Sequence, residues 1–277
     1  MPCNRRQFVR IVPALGAFTI SAADAAVPAA PAEDSAEYAW PPPFGAGEPY
    51  AESFPSLHAF LAKEMVTVSH GNLARVKELV ARHASLAKAS WDWGFGDWET
   101  ALGAASHVGN RPIAEFLLEN GAAPTIFSAA MLGQLDVVKA YAAAMPDIHQ
   151  LRGPHGIPLA AHAQAGGPAA APVLALVQSL GAVPAADREP LSETDRAAIE
   201  GRYVFGSRPR DVFVVDTERD QLGITRLGAA RRNLFHKGSL EFYPTGAPAV
   251  RIQFQRNQNP VTISVFDPDL VARAVKA

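Results

Sequence analysis

Cysteine is nearly missing. Of 277 residues only Cys3 carries a thiol, which excludes an internal disulfide and any cysteine-based zinc site. No charge of one sign dominates either: 25 Lys and Arg stand against 27 Asp and Glu, a formal net charge of −2. Such a balance offers no basic surface for nucleic acid. No apolar run reaches the roughly 20 residues that a membrane-spanning helix needs. Several signatures of catalysis are also lacking. There is no Gly-x-Ser-x-Gly elbow, no GxGxxG or Walker loop after a strand, no His-Glu-x-x-His and no pair of histidines four residues apart.

What is present begins with a targeting pattern. Arg5 and Arg6 precede a weakly apolar run from Ile11 to Ile20, and Ala23-Asp24-Ala25 fits a small-x-small cleavage pattern. Residues 1–25 resemble a twin-arginine export signal, which implies a periplasmic or extracellular protein after cleavage near Ala25. Residues 26–52 are rich in Ala and Pro, with a Pro41-Pro42-Pro43 run. They bury too little apolar surface to fold and read as a linker.

The stretch Glu99 to Ala122 organises the middle of the chain. Thr100 is placed to cap a helix starting at Ala101, because its hydroxyl can accept a free N–H of the first turn. Ala101, Ala104 and Ala105 keep that helix narrow. Gly109 can take the left-handed conformation that ends it. Pro112 suits the first turn of a second helix, where its missing N–H costs nothing. Ile113, Phe116 and Leu117 recur at helical spacing, and Gly121 stops the helix. Weaker copies run from Ser56 to Val80, from Pro124 to Ala144 and from Pro158 to Ala182, turning at Gly71, Gly133 and Gly166. Hairpins this short need stacked neighbours to bury a core.

A period of roughly 33 residues with a Gly turn and a Gly-Ala stop resembles the ankyrin repeat. The matching residues are Thr100-Ala101-Leu102 with Ala105 and Gly109, Leu117-Leu118, Gly121-Ala122, Pro158-Leu159, Gly166 and Gly181-Ala182. Gly103 and Ala160 stand where that family carries its histidine, and the spacing of the turns is irregular. The WETALGAASHVG and GPHGI segments are similar to those of exported bacterial ankyrin-type proteins. The resemblance implies about four repeats over residues 53–184.

Residues 185–200 read as a linker and short helix, with Ser192 as its cap and Glu193-Thr194-Asp195 as an acidic first turn. From Gly201 the apolar period becomes two. Seven short runs, Tyr203–Phe205, Val212–Val215, Leu222–Thr225, Asn233–Phe235, Leu240–Tyr243, Val250–Phe254 and Val261–Phe266, are separated by turn residues. They predict a small antiparallel meander or half-barrel over 201–277, closed by a helix at Leu270–Lys276. Strand spacing and Gly201-Arg202-Tyr203 resemble the small β domains appended to exported hydrolases of the serine β-lactamase type. The expected fold class is therefore α+β and multidomain: an ankyrin-like helical array, then an antiparallel β domain.

Two groups of residues could carry function. The segment from Ala89 to Trp98 reads as a loop and sets Trp91, Trp93 and Trp98 beside Asp97 and Glu99. Aromatics on such a loop supply contact area for a partner, or else pack over a ragged repeat edge. The second group is His107, His155 and His162, which stacking would bring toward one edge near Asp97. Histidines with a carboxylate can bind a metal or move a proton, and they can equally make structural hydrogen bonds between repeats, the preferred reading. Arg231-Arg232, with Arg226 upstream, could form an anion patch, and a solvated strand end is the preferred reading. The leading expectation is an exported, non-catalytic binding protein with a protein or ligand partner, no nucleic-acid partner, no membrane span, no catalytic residue, no metal ligand and no cofactor. An enzyme or enzyme accessory with a His/carboxylate site, and a structural array capped by the β domain, are the alternatives.

Overall fold

The computed structural model describes residues 56–183, 188–226, 229–267 and 270–277. Every described residue belongs to one compact unit, 51–277. The expected signal at 1–25 and linker at 26–52 lie outside the described residues. Among the described residues no helix is long and apolar enough to cross a membrane.

Four helical hairpins come first. They pair α1 (Ala59–Val68) with α2 (Leu73–Arg82), α3 (Ala101–His107) with α4 (Arg111–Glu119), α5 (Ile126–Met131) with α6 (Leu135–Ala144), and α7 (Leu159–Ala165) with α8 (Ala171–Ser179). Helix starts are written locally. Asn72 accepts from the Arg75 N–H at 3.0 Å, Thr100 from Gly103 at 2.9 Å and Asn110 from Ile113 at 3.3 Å. Thr125 and Ser128 cap reciprocally at the head of α5. Each such cap contributes about 1 kcal/mol. Ile126, Val138, Ile148, Leu159, Val173 and Val177 are buried together where the third and fourth hairpins meet.

Between α2 and α3 the tryptophan-rich stretch, expected as a loop, forms a two-stranded ribbon, β1 (Ser90–Asp92) and β2 (Trp98–Thr100). Trp91 pairs with Glu99 and Asp92 with Trp98. The turn is held by the Gly94 N–H donating to Asp92 Oδ1 at 2.8 Å.

After α9 (Glu193–Ile199), which is capped by Ser192, the chain runs through β3 (Gly201–Val204), β4 (Val212–Glu218), β5 (Gln221–Arg226), β6 (Arg232–Gly238), β7 (Glu241–Pro244), β8 (Arg251–Gln255), β9 (Thr262–Asp267) and β10 (Leu270–Lys276). These eight strands close into an antiparallel barrel in the order β10-β3-β4-β5-β6-β7-β8-β9. Eight strands leave an interior just wide enough for side chains, and Tyr203, Phe213, Leu222, Ile224, Leu234, Phe242, Ile252, Phe254 and Ile263 fill it. Ile199 of α9 plugs in, and its carbonyl accepts from the Tyr203 hydroxyl at 2.6 Å.

The expected fold class is corrected on both halves. The β part is a closed barrel, not a meander or half-barrel, because Leu270–Lys276 is a strand and not a closing helix. Val275 pairs with Val204 on one side and Ala274 with Ile263 on the other. Satisfying two otherwise open sheet edges outweighs the helical preference of an Ala-rich segment. The helical half is not established as an ankyrin-like array. Its helices are short, six to ten residues long, with 3-10 turns between several of them. In a linear array each repeat touches only its neighbours, yet α3 of the second hairpin packs also on α7 of the fourth.

Candidate metal centre

Glu99 is the centre of the site. Strand alternation on β2 turns its side chain inward, 0% exposed, while Trp98 beside it stays 62% exposed. The Thr100 cap then begins α3 immediately, so His107, the last residue of α3, returns over the same carboxylate. Its Nε2 lies 2.9 Å from Glu99 Oε1, without the alignment of a hydrogen bond, and no hydrogen-bond donor among the described residues satisfies that buried oxygen. The other oxygen, Oε2, accepts from the Trp93 indole N–H at 2.8 Å.

Two more imidazoles converge there. His70 follows α1, and its Nδ1 faces the carbonyls of Val66 and Thr67 at 3.1 and 3.0 Å. Carbonyls only accept, so Nδ1 carries a proton and the neutral ring turns the lone pair of Nε2 inward. That Nε2 is 3.1 Å from His107 Nε2 and 3.7 Å from Glu99 Oε2. His155 sits in a 3-10 turn, Pro154–Gly156, at a left-handed φ of 60°. Backbone strain of this kind concentrates at functional sites. Its main-chain N–H donates to Asp97 Oδ1 at 2.8 Å, and its Nδ1–H to Asp97 Oδ2 at 2.7 Å. The Nε2 of His155 is left facing Glu99 Oε2 at 3.4 Å.

One ligand atom from each of His70, Glu99, His107 and His155 thus lies within 4.8 Å of every other. A zinc ion with bonds of about 2.0–2.1 Å in tetrahedral geometry sets neighbouring ligand atoms about 3.3–3.4 Å apart. His107 lies 2.9 Å from Oε1 of Glu99, His155 and His70 lie 3.4 and 3.7 Å from its Oε2, and the Nε2 atoms of His70 and His107 are 3.1 Å apart, so small side-chain rotations bring one oxygen and three nitrogens to that edge. Second-shell acceptors on two of the three rings hold the tautomers that ligation needs.

The electrostatics fit. Burial pushes the Glu99 carboxyl up, but the nearby His107, His155 and His70 outweigh it and hold it down at about 2. Burial lowers His155, yet Asp97 and Glu99 raise it to about 9. Asp97 is lowered against the desolvation of its own burial by His155 and Arg232. The Glu99 and Asp97 carboxylates thus face a protonated His155, and a dication bound there would have to displace the His155 proton.

Of the residues expected from the sequence, Asp97, Glu99, His107, His155 and Trp93 come together. His162 lies one ring further out, 6.4 Å from His107 and 4.8 Å from Phe127 between ring centres. It is 0% exposed with neither nitrogen satisfied among the described residues, and burial and His107 lower it to about 4. Trp91 packs near Phe60, under the Lys63 ammonium, and Trp98 points to solvent. Neither supplies an atom to the cluster. Ser85-Leu86-Ala87-Lys88 has the spacing of a serine-hydrolase motif, but Ser85 and Lys88 are both exposed.

Two residues of the site escape the sequence reading. His70 reads only as part of a turn. The signal that finds it is the repetition of Ser69-His70-Gly71-Asn72 as Ser106-His107-Val108-Gly109-Asn110. In both copies the serine hydroxyl donates to the carbonyl four residues back and the asparagine caps the next helix. With α1 stacked on α3, equivalent positions bring the two imidazoles together. Arg232 is corrected from a solvated strand end to a buried residue, 6% exposed, ion-paired with Asp97. Neither a family model, nor a curated protein, nor a solved structure matches this chain.

Proposed function

We propose that this chain is a metal-binding protein whose His70, Glu99, His107 and His155 hold one divalent transition-metal ion, with Zn²⁺ the best-suited occupant. The observation that carries this reading is the convergence of three imidazole nitrogens and one buried carboxylate oxygen within 4.8 Å of one another. Imidazole suits zinc, copper and nickel, and the absence of thiolate argues against sites built for Cu(I). Four protein donors fill a tetrahedron. That is the pattern of a structural or sequestering site, whereas a catalytic zinc keeps a position open. The reading therefore keeps to the non-catalytic class, and the export signal expected at 1–25 would place it outside the cytoplasm.

The test is a titration of the chelator-stripped protein with Zn²⁺ against a chromophoric competitor. One equivalent bound tightly, and displaced by excess chelator, is the expected result. Binding of no equivalent, or a weak uptake unaffected by His107→Ala, removes the reading. A second reading, docking of a protein partner, rests on one observation: Trp98 stands 62% exposed on the outer face of the same ribbon.

A further inference from the structure

The four ligands all come from the helical half, yet the site does not end there. The β1–β2 ribbon reaches the barrel at its tip, where Phe95 packs against the barrel core. Beside it Arg232, the first residue of β6, turns inward. Its Nη2 ion-pairs with Asp97 Oδ2, the oxygen that also accepts the His155 Nδ1–H. Its Nη1 lies 3.2 Å from that same Nδ1, and Nη2 also reaches the Gly94 carbonyl at 3.5 Å. Gly246, in the turn after β7, approaches so closely that a Cβ there would sit 2.6 Å from the Asp97 carboxyl carbon. Asp97 is thus held on three sides: by His155, by Arg232 and by the Gly246 backbone.

We infer that Arg232 is a positioning residue of the metal site, so that the barrel completes a centre whose ligands it does not supply. Asp97 fixes which nitrogen of His155 bears the proton and where the ring points. Arg232 fixes Asp97. A carboxylate free to rotate would no longer hold Nδ1–H in place, and His155 would present Nε2 to the ion only part of the time. Outer-shell partners of this kind change metal affinity by about 10- to 100-fold. The coupling is reciprocal: an ion that demands one orientation of His155 also favours the seating of β6 on Asp97.

The inference rests on the proposed metal site, and the test separates the two. Zn²⁺ affinity of the full chain is measured by competition for the unaltered protein, Arg232→Met, Arg232→Lys and the double variant Asp97→Asn with Arg232→Met. The double variant removes both buried charges together and so avoids the unpaired Asp97 that could unfold the single one. Visible absorption after Co²⁺ loading reports the ligand geometry. The expected result is a loss of about 10- to 100-fold for Arg232→Met and for the double variant, a perturbed Co²⁺ spectrum, and partial recovery in Arg232→Lys. No binding by the unaltered protein removes the metal site itself. Binding by the unaltered protein with affinity and spectrum unchanged in the folded double variant overturns the role of Arg232 and leaves the metal site standing.

Discussion

Glu99→Gln is expected to remove the thermal stabilisation that Zn²⁺ confers on this protein. Gln keeps the volume of Glu99 and an oxygen able to accept from Trp93 Nε1, which lies 2.8 Å from Oε2 in the native side chain. It loses the charge that draws a dication to a site where Glu99 is the one carboxylate among the four ligands. A ligand present at 100 times its dissociation constant stabilises by about 2.7 kcal/mol, which raises the melting temperature of a protein this size by about 5–10 °C. That rise is expected for the unaltered protein. It should shrink to under about 2 °C for Glu99→Gln at the same Zn²⁺ concentration. Trp98→Ala, one residue away but turned to solvent, serves as the control, since exposed substitutions stay within about 0.5 kcal/mol. Scanning calorimetry with and without Zn²⁺ decides it. A full rise in Glu99→Gln would show that the carboxylate is not a ligand.

Gly133→Ala carries the second large effect. Gly133 ends the turn between α5 and α6 at φ 73°, and a Cβ there would drive into the backbone carbonyl of Ala169 and approach Ala170 Cα at 3.3 Å. The left-handed conformation alone costs an L-residue about 1–2 kcal/mol, and forcing an atom into a filled contact adds about 1–3 kcal/mol. Gly167→Ala separates the two, because Gly167 has φ 66° with nothing within 4 Å of its Cβ position. Denaturant unfolding should show Gly133→Ala less stable than Gly167→Ala by about 1–3 kcal/mol. Equal losses would mean that the third and fourth hairpins do not interlock through their backbones.

Much of the local structure is legible before any coordinates. Thr100 as a cap, Pro112 in the first turn of α4 and Ser192 ahead of α9 follow from donor and acceptor counting at helix ends, and all three stand there. The seven apolar runs after Gly201 each overlap a strand, β3 to β9. What stays hidden is set at a distance. Barrel closure depends on β10 pairing with β3 and β9 at once, and Leu270–Lys276 read alone is as helical as it is extended. The contact of α3 with α7 spans two hairpins, so an irregular Gly period reads as a linear array.

The site divides the same way. Glu99 and His107 share one cap and one short helix, and a reader of sequence can place them together. His155 joins them through a loop that donates to Asp97 across 58 residues. Arg232 joins across 135. A paired arginine at a strand end looks solvated until the ribbon tip carrying Phe95 covers it. Polar residues at such junctions satisfy one another only in the assembled fold, so their spacing along the chain carries no signal.

The most direct measurement is X-ray absorption at the zinc edge of the full chain, after loading with one equivalent and dialysis. The expected spectrum is a four-coordinate shell of three imidazole nitrogens and one carboxylate oxygen at about 2.0–2.2 Å, with the imidazole contribution reduced in His70→Ala. A hydrated ion with fewer than two imidazoles, or no zinc retained after dialysis, would contradict the account.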